Sequence, residues 1–102
     1  MQVLKFGGSS VANAENIAKT VQVIRRTSIR GRTIAVVSAL GGITDTLLEC
    51  AGQAASADES YRDTLNRVEQ RHLDTVRQLI PLANQSGLLS LVKKTCNELE
   101  DI

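Results

Sequence analysis

The first part of the chain alternates between apolar patterns typical of strands and of a helix. Gln2–Phe6 is a short, mostly apolar run that contains Lys5, and Thr33–Val37 is a β-branched run typical of a strand covered on both faces. Between them, Asn13 is placed to cap a helix whose apolar positions recur every three or four residues. Those positions are Ala14, Ile17, Ala18, Val21 and Ile24. Strand, helix and strand in this order predict a βαβ unit with parallel strands and a right-handed crossover.

From Ile43 to the end of the chain the apolar pattern is helical. Thr44 or Asp45 is the expected N-cap of the first of these helices, because their side-chain oxygens can accept a hydrogen bond from the first turn. Gly52 is expected to make this helix fray or end early, since glycine costs about 1 kcal/mol in a helix relative to alanine.

Two further helices follow and form a predicted antiparallel hairpin. Asp58 is the expected cap of the first, which Pro81 ends, and residues 84–87 are the expected turn into the second. The apolar stripe of the first contains Tyr61, Leu65, Val68, His72, Val76 and Leu79; that of the second contains Leu88, Leu89, Val92, Cys96 and Leu99.

The first predicted strand runs into two glycines and two hydroxyl side chains, which we call the first glycine loop (residues 7–12). Gly7 and Gly8 let backbone N–H groups approach a phosphate without interference from a Cβ atom, and Ser9 adds a hydroxyl donor. A helix N-terminus follows and favours anions, while Lys5 adds a full positive charge. This order of residues predicts a phosphate-binding site.

The second strand ends in similar chemistry, which we call the second glycine loop (residues 38–42): Ser38 begins it and Gly41 and Gly42 end it. In open α/β sheets, ligands bind outside the carboxyl ends of the strands. Since both glycine loops follow parallel strands, we expect them to converge at one edge of the sheet.

Glycine loops are often plain turns, and two features favour a functional interpretation. Lys5 lies within an apolar strand, where an unpaired ammonium is costly to bury and implies an anionic partner. The second glycine loop repeats the chemistry of the first. Neither loop is a Walker A loop or a dinucleotide fingerprint, because the spacings G-x-x-x-x-G-K-[ST] and G-x-G-x-x-G are absent.

Composition excludes some other classes of function. The chain of 102 residues is 42% hydrophobic and 23% charged, with a net charge of +1 and 2% aromatic residues. This gives no support for nucleic-acid binding. No apolar run approaches the roughly 20 residues of a membrane span, and no signal peptide precedes the first strand, so we expect a cytoplasmic protein. Cys50 and Cys96 are expected to be buried reduced thiols, and His72 a partly buried structural residue.

The two loops carry a resemblance to a known family. The run Lys5 to Ala12, K-F-G-G-S-S-V-A, resembles the K-F-G-G-[TS]-S-V-A signature that opens aspartokinases, in the amino-acid kinase superfamily. The run V-V-S-A-L-G-G-I-T-D at residues 36–45 resembles the second family motif, V-V-S-A…G-I-T-[ND]. The chain start is most similar to the kinase half of bifunctional aspartokinase/homoserine dehydrogenases.

The resemblance implies the N-terminal βαβ piece of a three-layer αβα amino-acid-kinase domain. The βαβ part with both glycine loops, for phosphate and aspartate, would occupy residues 1–48 and a helical segment residues 49–102. The implied reaction transfers the γ-phosphoryl group of ATP, with Mg²⁺, to the β-carboxylate of L-aspartate, in the biosynthesis of lysine, threonine and methionine. NADP would take part only if a dehydrogenase domain follows.

The resemblance also implies roles for single residues. Lys5 would neutralise charge on the transferring phosphoryl group, as the catalytic residue. Gly7, Gly8 and Ser9 would bind phosphate oxygens. Ser38 would line the site and Thr44 would contact the aspartate. No residue is implied as a metal ligand.

Later motifs of the family, R-G-E and G-R-G-G-S-D, do not occur in these residues. We therefore expect the N-terminal piece of a larger enzyme, catalytically silent alone and prone to self-association or homo-oligomerisation. The alternatives are another enzyme of the superfamily, acting on carbamate, a glutamate derivative or a nucleotide, and a free-standing binding protein without catalysis.

Overall fold

A computed structural model describes all residues of the chain, 1–102. The chain forms two compact units, Met1–Gly42 and Ile43–Ile102. The first is α/β and the second is helical, which confirms the predicted fold class.

The first unit is the predicted βαβ unit. Strand β1 spans Gln2–Phe6, helix α1 spans Ala14–Ser28 and strand β2 spans Thr33–Val37. A 3₁₀ turn at Gly8–Val11 joins β1 to α1. The two strands are parallel, as predicted, and pair in register from Gln2 opposite Thr33 to Phe6 opposite Val37.

Helix α1 begins where the sequence predicts, because the Asn13 side chain accepts a hydrogen bond from the Asn16 N–H at 2.9 Å. Its inward face differs from the predicted stripe. Ala18 and Val21 are exposed, whereas Thr20 is 6% exposed. The reason is a hydrogen bond from the Thr20 hydroxyl to the preceding loop, which turns this polar position inward.

The predicted burial of β2 on both faces is wrong. Ile34, Val36 and Val37 are all exposed. The sheet has two strands only, so no further strand covers the β2 edge and one face of the sheet stays open.

The second unit contains three helices: α2 at Ile43–Ala55, α3 at Tyr61–Leu79 and α4 at Gln85–Asp101. Helix α3 packs against both α2 and α4. It therefore buries residues outside the single predicted stripe, namely Thr64, Leu73 and Thr75, and Leu73 is only 2% exposed. None of these helices is both long and apolar enough to cross a membrane.

Two predictions about α2 are wrong. Thr44 and Asp45 lie in its first turn, because the helix begins at Ile43 and neither residue is the N-cap. Gly52 does not shorten the helix, which continues to Ala55, since one glycine costs less than the packing of α2 on α3 returns.

The predicted N-cap of α3 is also wrong. Asp58 lies before the helix, and its carboxylate accepts a hydrogen bond from the Ser60 N–H at 2.9 Å. This bond orders the turn that leads into Tyr61, where α3 begins. Pro81 ends the helix as predicted, with Ile80 already extended.

The predicted turn at residues 84–87 is wrong, because α4 begins at Gln85. A 3₁₀ turn, Leu82–Asn84, makes the connection instead. The Gln85 side chain donates to the carbonyl oxygen of Ile80 at 2.8 Å, so it satisfies the end of α3 while it starts α4.

Candidate active site

The first glycine loop is open to solvent where a ligand would approach. A Cβ atom built on Gly7 or Gly8 meets no atom within 4 Å. Neither glycine has a positive φ. The N–H groups of Gly8 and Ser9, which open the 3₁₀ turn, donate to no other protein atom. Packing and backbone conformation therefore do not require glycine at these positions, whereas binding of an anion by the free N–H groups would.

Helix α1 holds the other side of this loop. The Asn16 side-chain amide donates to the carbonyl oxygen of Ser9 at 2.9 Å. The Thr20 hydroxyl donates to the carbonyl oxygen of Ser10 at 2.8 Å. Two consecutive carbonyl groups of the loop thus point toward α1.

The two glycine loops meet, as predicted from the parallel strands. The Gly41 N–H donates to the carbonyl oxygen of Ala12 at 3.0 Å. A Cβ atom on Gly41 would lie 3.3 Å from both the Cβ and the carbonyl oxygen of Ala12, which is tighter than ordinary van der Waals contact. The adjacent Gly42 has a φ of +79°, a left-handed conformation that favours glycine.

Lys5 lies on β1, but its predicted burial is wrong. The side chain is exposed, and it takes part in none of the ion pairs of the chain. Side chains alternate along a strand, and Lys5 shares the open face of the sheet with Val3. Val36, which pairs with Lys5 across the ladder, is exposed on the same face. The ammonium is therefore accessible to an anion. Because it is exposed to solvent, however, it does not need an anionic partner to offset a cost of burial.

The remaining predicted site residues are exposed as well. Ser38 follows β2 directly and begins the second glycine loop. Thr44 lies in the first turn of α2, in the second compact unit. Within the first unit the structure brings together the first glycine loop and the second; Thr44 belongs to the other unit.

An open cleft of about 340 Å³ lies between the first glycine loop and α1. Its polar lining consists of Ser9, Ser10, Asn16, Lys19 and Thr20. The Lys19 ammonium is 3.7 Å from the Glu15 carboxylate, an exposed pair along one helix face.

His72 and the cysteines are outside this chemistry. His72 Nδ1 lies 2.7 Å from the carbonyl oxygen of Val68, one turn earlier, which fits the predicted structural role. Both Cys50 and Cys96 are free thiols, and they are partly exposed rather than buried. Partial burial, with a smaller effect of Glu69, raises the pKa of Cys96. No three His, Cys, Asp or Glu side chains are grouped as a metal site would require.

Sequence reasoning missed Asn16 and Thr20. Their signal was a polar stripe at helical spacing, Asn13, Asn16, Thr20, directly behind the glycines. The prediction for α1 used only its apolar positions, which do not include this polar stripe.

Comparison with known proteins supports the family resemblance that the two motifs carry. A sequence model of the Amino acid kinase family matches residues 1–99. The chain belongs to the amino acid kinase family. Both glycine loops lie inside the matched residues.

Several curated members of this family are similar to the chain. The bifunctional aspartokinase/homoserine dehydrogenase 2, chloroplastic, of Arabidopsis thaliana is 32% identical over 98 residues, which cover 96% of this chain and 11% of that protein. A bifunctional aspartokinase/homoserine dehydrogenase 1 of Zea mays is 29% identical over 98 residues, covering 96% of this chain and 10% of that protein. An aspartokinase of Mycobacterium bovis is 46% identical over 56 residues, covering 54% of this chain and 13% of that protein. The chain thus spans about a tenth of the length of these amino acid kinase relatives.

Proposed function

We propose that this chain is the N-terminal part of the kinase domain of an aspartate kinase. The reaction transfers the γ-phosphoryl group of ATP to the β-carboxylate of L-aspartate, which yields ADP and an acyl phosphate. The bond between the γ-phosphorus and the bridging oxygen breaks, and a carboxylate oxygen forms the new bond to phosphorus. The family match and the names of the similar proteins support this reaction. The product would enter the biosynthesis of lysine, threonine and methionine.

The observation that carries the proposal is the meeting of two glycine loops at Ala12 and Gly41. Phosphoryl transfer depends mainly on positioning and on stabilising charge. The free N–H groups of Gly8 and Ser9 fit phosphate oxygens, and the open surroundings of Gly7 and Gly8 leave room for them.

Single residues take the following roles in this proposal. The Lys5 ammonium offsets negative charge that develops on the transferring group. Gly7, Gly8 and Ser9 bind phosphate oxygens of ATP. Ser38 lines the site and Thr44 contacts the aspartate. Mg²⁺ accompanies ATP as part of the substrate, and we assign it no ligand among these residues.

The 102 residues alone are proposed to be catalytically silent. They contain neither the R-G-E nor the G-R-G-G-S-D motif, to which the family resemblance gives contacts with aspartate and phosphates. The chain is further proposed to function in a homo-oligomer. The similarity to both aspartokinases and bifunctional enzymes supports the kinase half in either arrangement, and NADP enters only with a dehydrogenase domain.

The test is an assay of the complete gene product with ATP, Mg²⁺ and a panel of acceptors. An acyl phosphate reacts with hydroxylamine to give a hydroxamate, whereas a phosphate ester does not. We expect hydroxamate with L-aspartate and none with carbamate, glutamate or a nucleotide. Turnover of one of those acceptors instead favours another enzyme of the superfamily, and no turnover with any of them favours a binding protein.

A further inference from the structure

The two side chains that hold the first glycine loop, Asn16 and Thr20, donate to adjacent carbonyl groups of that loop. The distances are 2.9 Å from the Asn16 amide nitrogen to the Ser9 oxygen and 2.8 Å from the Thr20 hydroxyl to the Ser10 oxygen. Both donors come from one face of α1, four residues apart, so they act on the loop as one rigid unit.

The Asn16 bond influences the direction of one N–H group of the loop, that of Gly8. The Asn16 amide orients the peptide group that joins Ser9 to Ser10, and the Ser10 N–H in that group donates to the Gly7 carbonyl oxygen at 3.1 Å. In a trans peptide the C=O and N–H groups point in opposite directions. With its carbonyl turned toward Ser10, the peptide group of Gly7 directs the Gly8 N–H away from the turn. That N–H is one of the two that lack a protein acceptor.

Other threonines of the chain use their hydroxyls differently. Thr27 and Thr75 also use their hydroxyls, but each donates to a carbonyl of its own helix, at 2.9 and 2.7 Å. Thr20 instead reaches ten residues back along the chain, to the loop. The Asn16 bond is exposed, where a hydrogen bond adds little to the stability of the fold. Thr20 thus differs from these threonines in that its buried hydroxyl has its acceptor in the loop, and Asn16 bonds the same loop from an exposed position.

We propose that Asn16 and Thr20 are positioning residues for ATP. They hold the first glycine loop against α1, and the Asn16 bond, acting through the Ser10 N–H and the Gly7 carbonyl, turns the Gly8 N–H toward the phosphates. This inference rests on the proposed function, because it assumes that the loop binds phosphate.

The experiment compares Thr20→Val, Thr20→Ser and Asn16→Ala in the complete gene product. Thr20→Val keeps the shape of the side chain and removes the donor, whereas Thr20→Ser keeps the donor. The matched control is Thr75→Val, because Thr75 is as buried as Thr20, at 7% against 6% exposed, and its hydroxyl bonds only its own helix. The measured quantities are kcat, KM for ATP, KM for aspartate and Tm.

We expect Thr20→Val and Asn16→Ala each to raise KM for ATP by about tenfold, the effect of one lost hydrogen bond on binding. KM for aspartate should stay within about twofold of the wild type. Thr20→Ser should restore KM for ATP, and Thr75→Val should leave both KM values unchanged. A merely structural role would lower Tm and the active fraction, seen as kcat, and would not move KM for ATP selectively.

Each outcome decides between distinct conclusions. An active wild type whose Thr20→Val and Asn16→Ala variants keep the wild-type KM for ATP overturns the positioning role and leaves the proposed function intact. A wild type without ATP turnover on any acceptor overturns the proposed function and this inference with it. If Thr20→Val does not fold, Asn16→Ala decides alone, because its bond is exposed.

Discussion

Gly41 donates its backbone N–H to the carbonyl oxygen of Ala12 at 3.0 Å, and so connects the two glycine loops of the chain. The contact is close, since a Cβ on Gly41 would lie 3.3 Å from two atoms of Ala12, which would have to shift to accommodate it. The loops are thereby held together at the carboxyl ends of two parallel strands, where α/β proteins bind ligands.

A Gly41→Ala substitution should separate the two loops slightly. We expect the free energy of unfolding of the chain to fall by about 1 kcal/mol, because the new methyl group forces Ala12 to move. Gly87→Ala is the matched control: a Cβ at Gly87 on α4 meets nothing within 4 Å, and helix propensity predicts a gain of about 1 kcal/mol. Urea denaturation of the two variants measures both changes, and an equal response at the two positions would contradict close contact between the loops.

Gly8→Ala should weaken ATP binding without destabilising the fold. A Cβ at Gly8 meets no protein atom within 4 Å, so the free energy of unfolding should change by less than about 0.5 kcal/mol. In the complete gene product the same methyl group would stand where phosphate oxygens approach, and KM for ATP should rise by at least about tenfold. An unchanged KM for ATP would show that this face of the loop does not bind the nucleotide.

The turn before α3 should make the stability of the chain sensitive to acid. The Ser60 N–H, together with the Ser60 hydroxyl, holds the pKa of Asp58 below its ordinary value of 3.8. A lowered pKa in the folded state contributes stability that is present above the ordinary pKa and is lost as pH falls through the folded pKa. Asp58→Asn keeps an acceptor for the Ser60 N–H, so urea denaturation should give a stability close to wild type at neutral pH and a shallower loss as pH falls below 3.8. Identical acid dependence in the two proteins would exclude a contribution of Asp58.

The isolated chain should self-associate through its sheet. Val3, Ile34 and Val36 are exposed on one face, and the two strands leave unpaired outer edges. Light scattering should show a mass that rises with concentration, and Val36→Lys should lower it by placing a second charge beside Lys5. A monomer mass at every concentration would count against a self-associating sheet.

The sequence predicts the parts of this structure that local signals determine. Asn13 caps α1 as expected, and the parallel strands, and with them the meeting of the glycine loops, follow from the order of strand, helix and strand. The burial of Lys5 was predicted wrongly because it depends on what packs over that face of the sheet, which a local pattern does not contain. The role of Thr20 was missed because its hydroxyl donates to Ser10, in the preceding loop, rather than to a carbonyl group of its own helix.

The predictions for the turns on either side of α3 are wrong for a different reason. Asp58 has a side chain that caps helices, but Ser60 stands at the N-cap of α3, and α4 begins at Gln85, within the residues predicted to be a turn. Asp58 bonds the turn before α3, and Gln85 takes the Ile80 carbonyl. Which polar side chain reaches which backbone group depends on packing that sequence alone does not specify.

The most direct measurement is the rate of aspartate-dependent ADP formation by the complete gene product, with Lys5→Met beside Lys94→Met. Both lysines are exposed, but only Lys5 lies on the β-strand that leads into the first glycine loop. We expect an active wild type, a loss of roughly 10²- to 10³-fold in kcat for Lys5→Met, and wild-type activity for Lys94→Met. Equal activity of the two variants, or no aspartate-dependent turnover by the wild type, would contradict the phosphoryl-transfer site proposed for this chain.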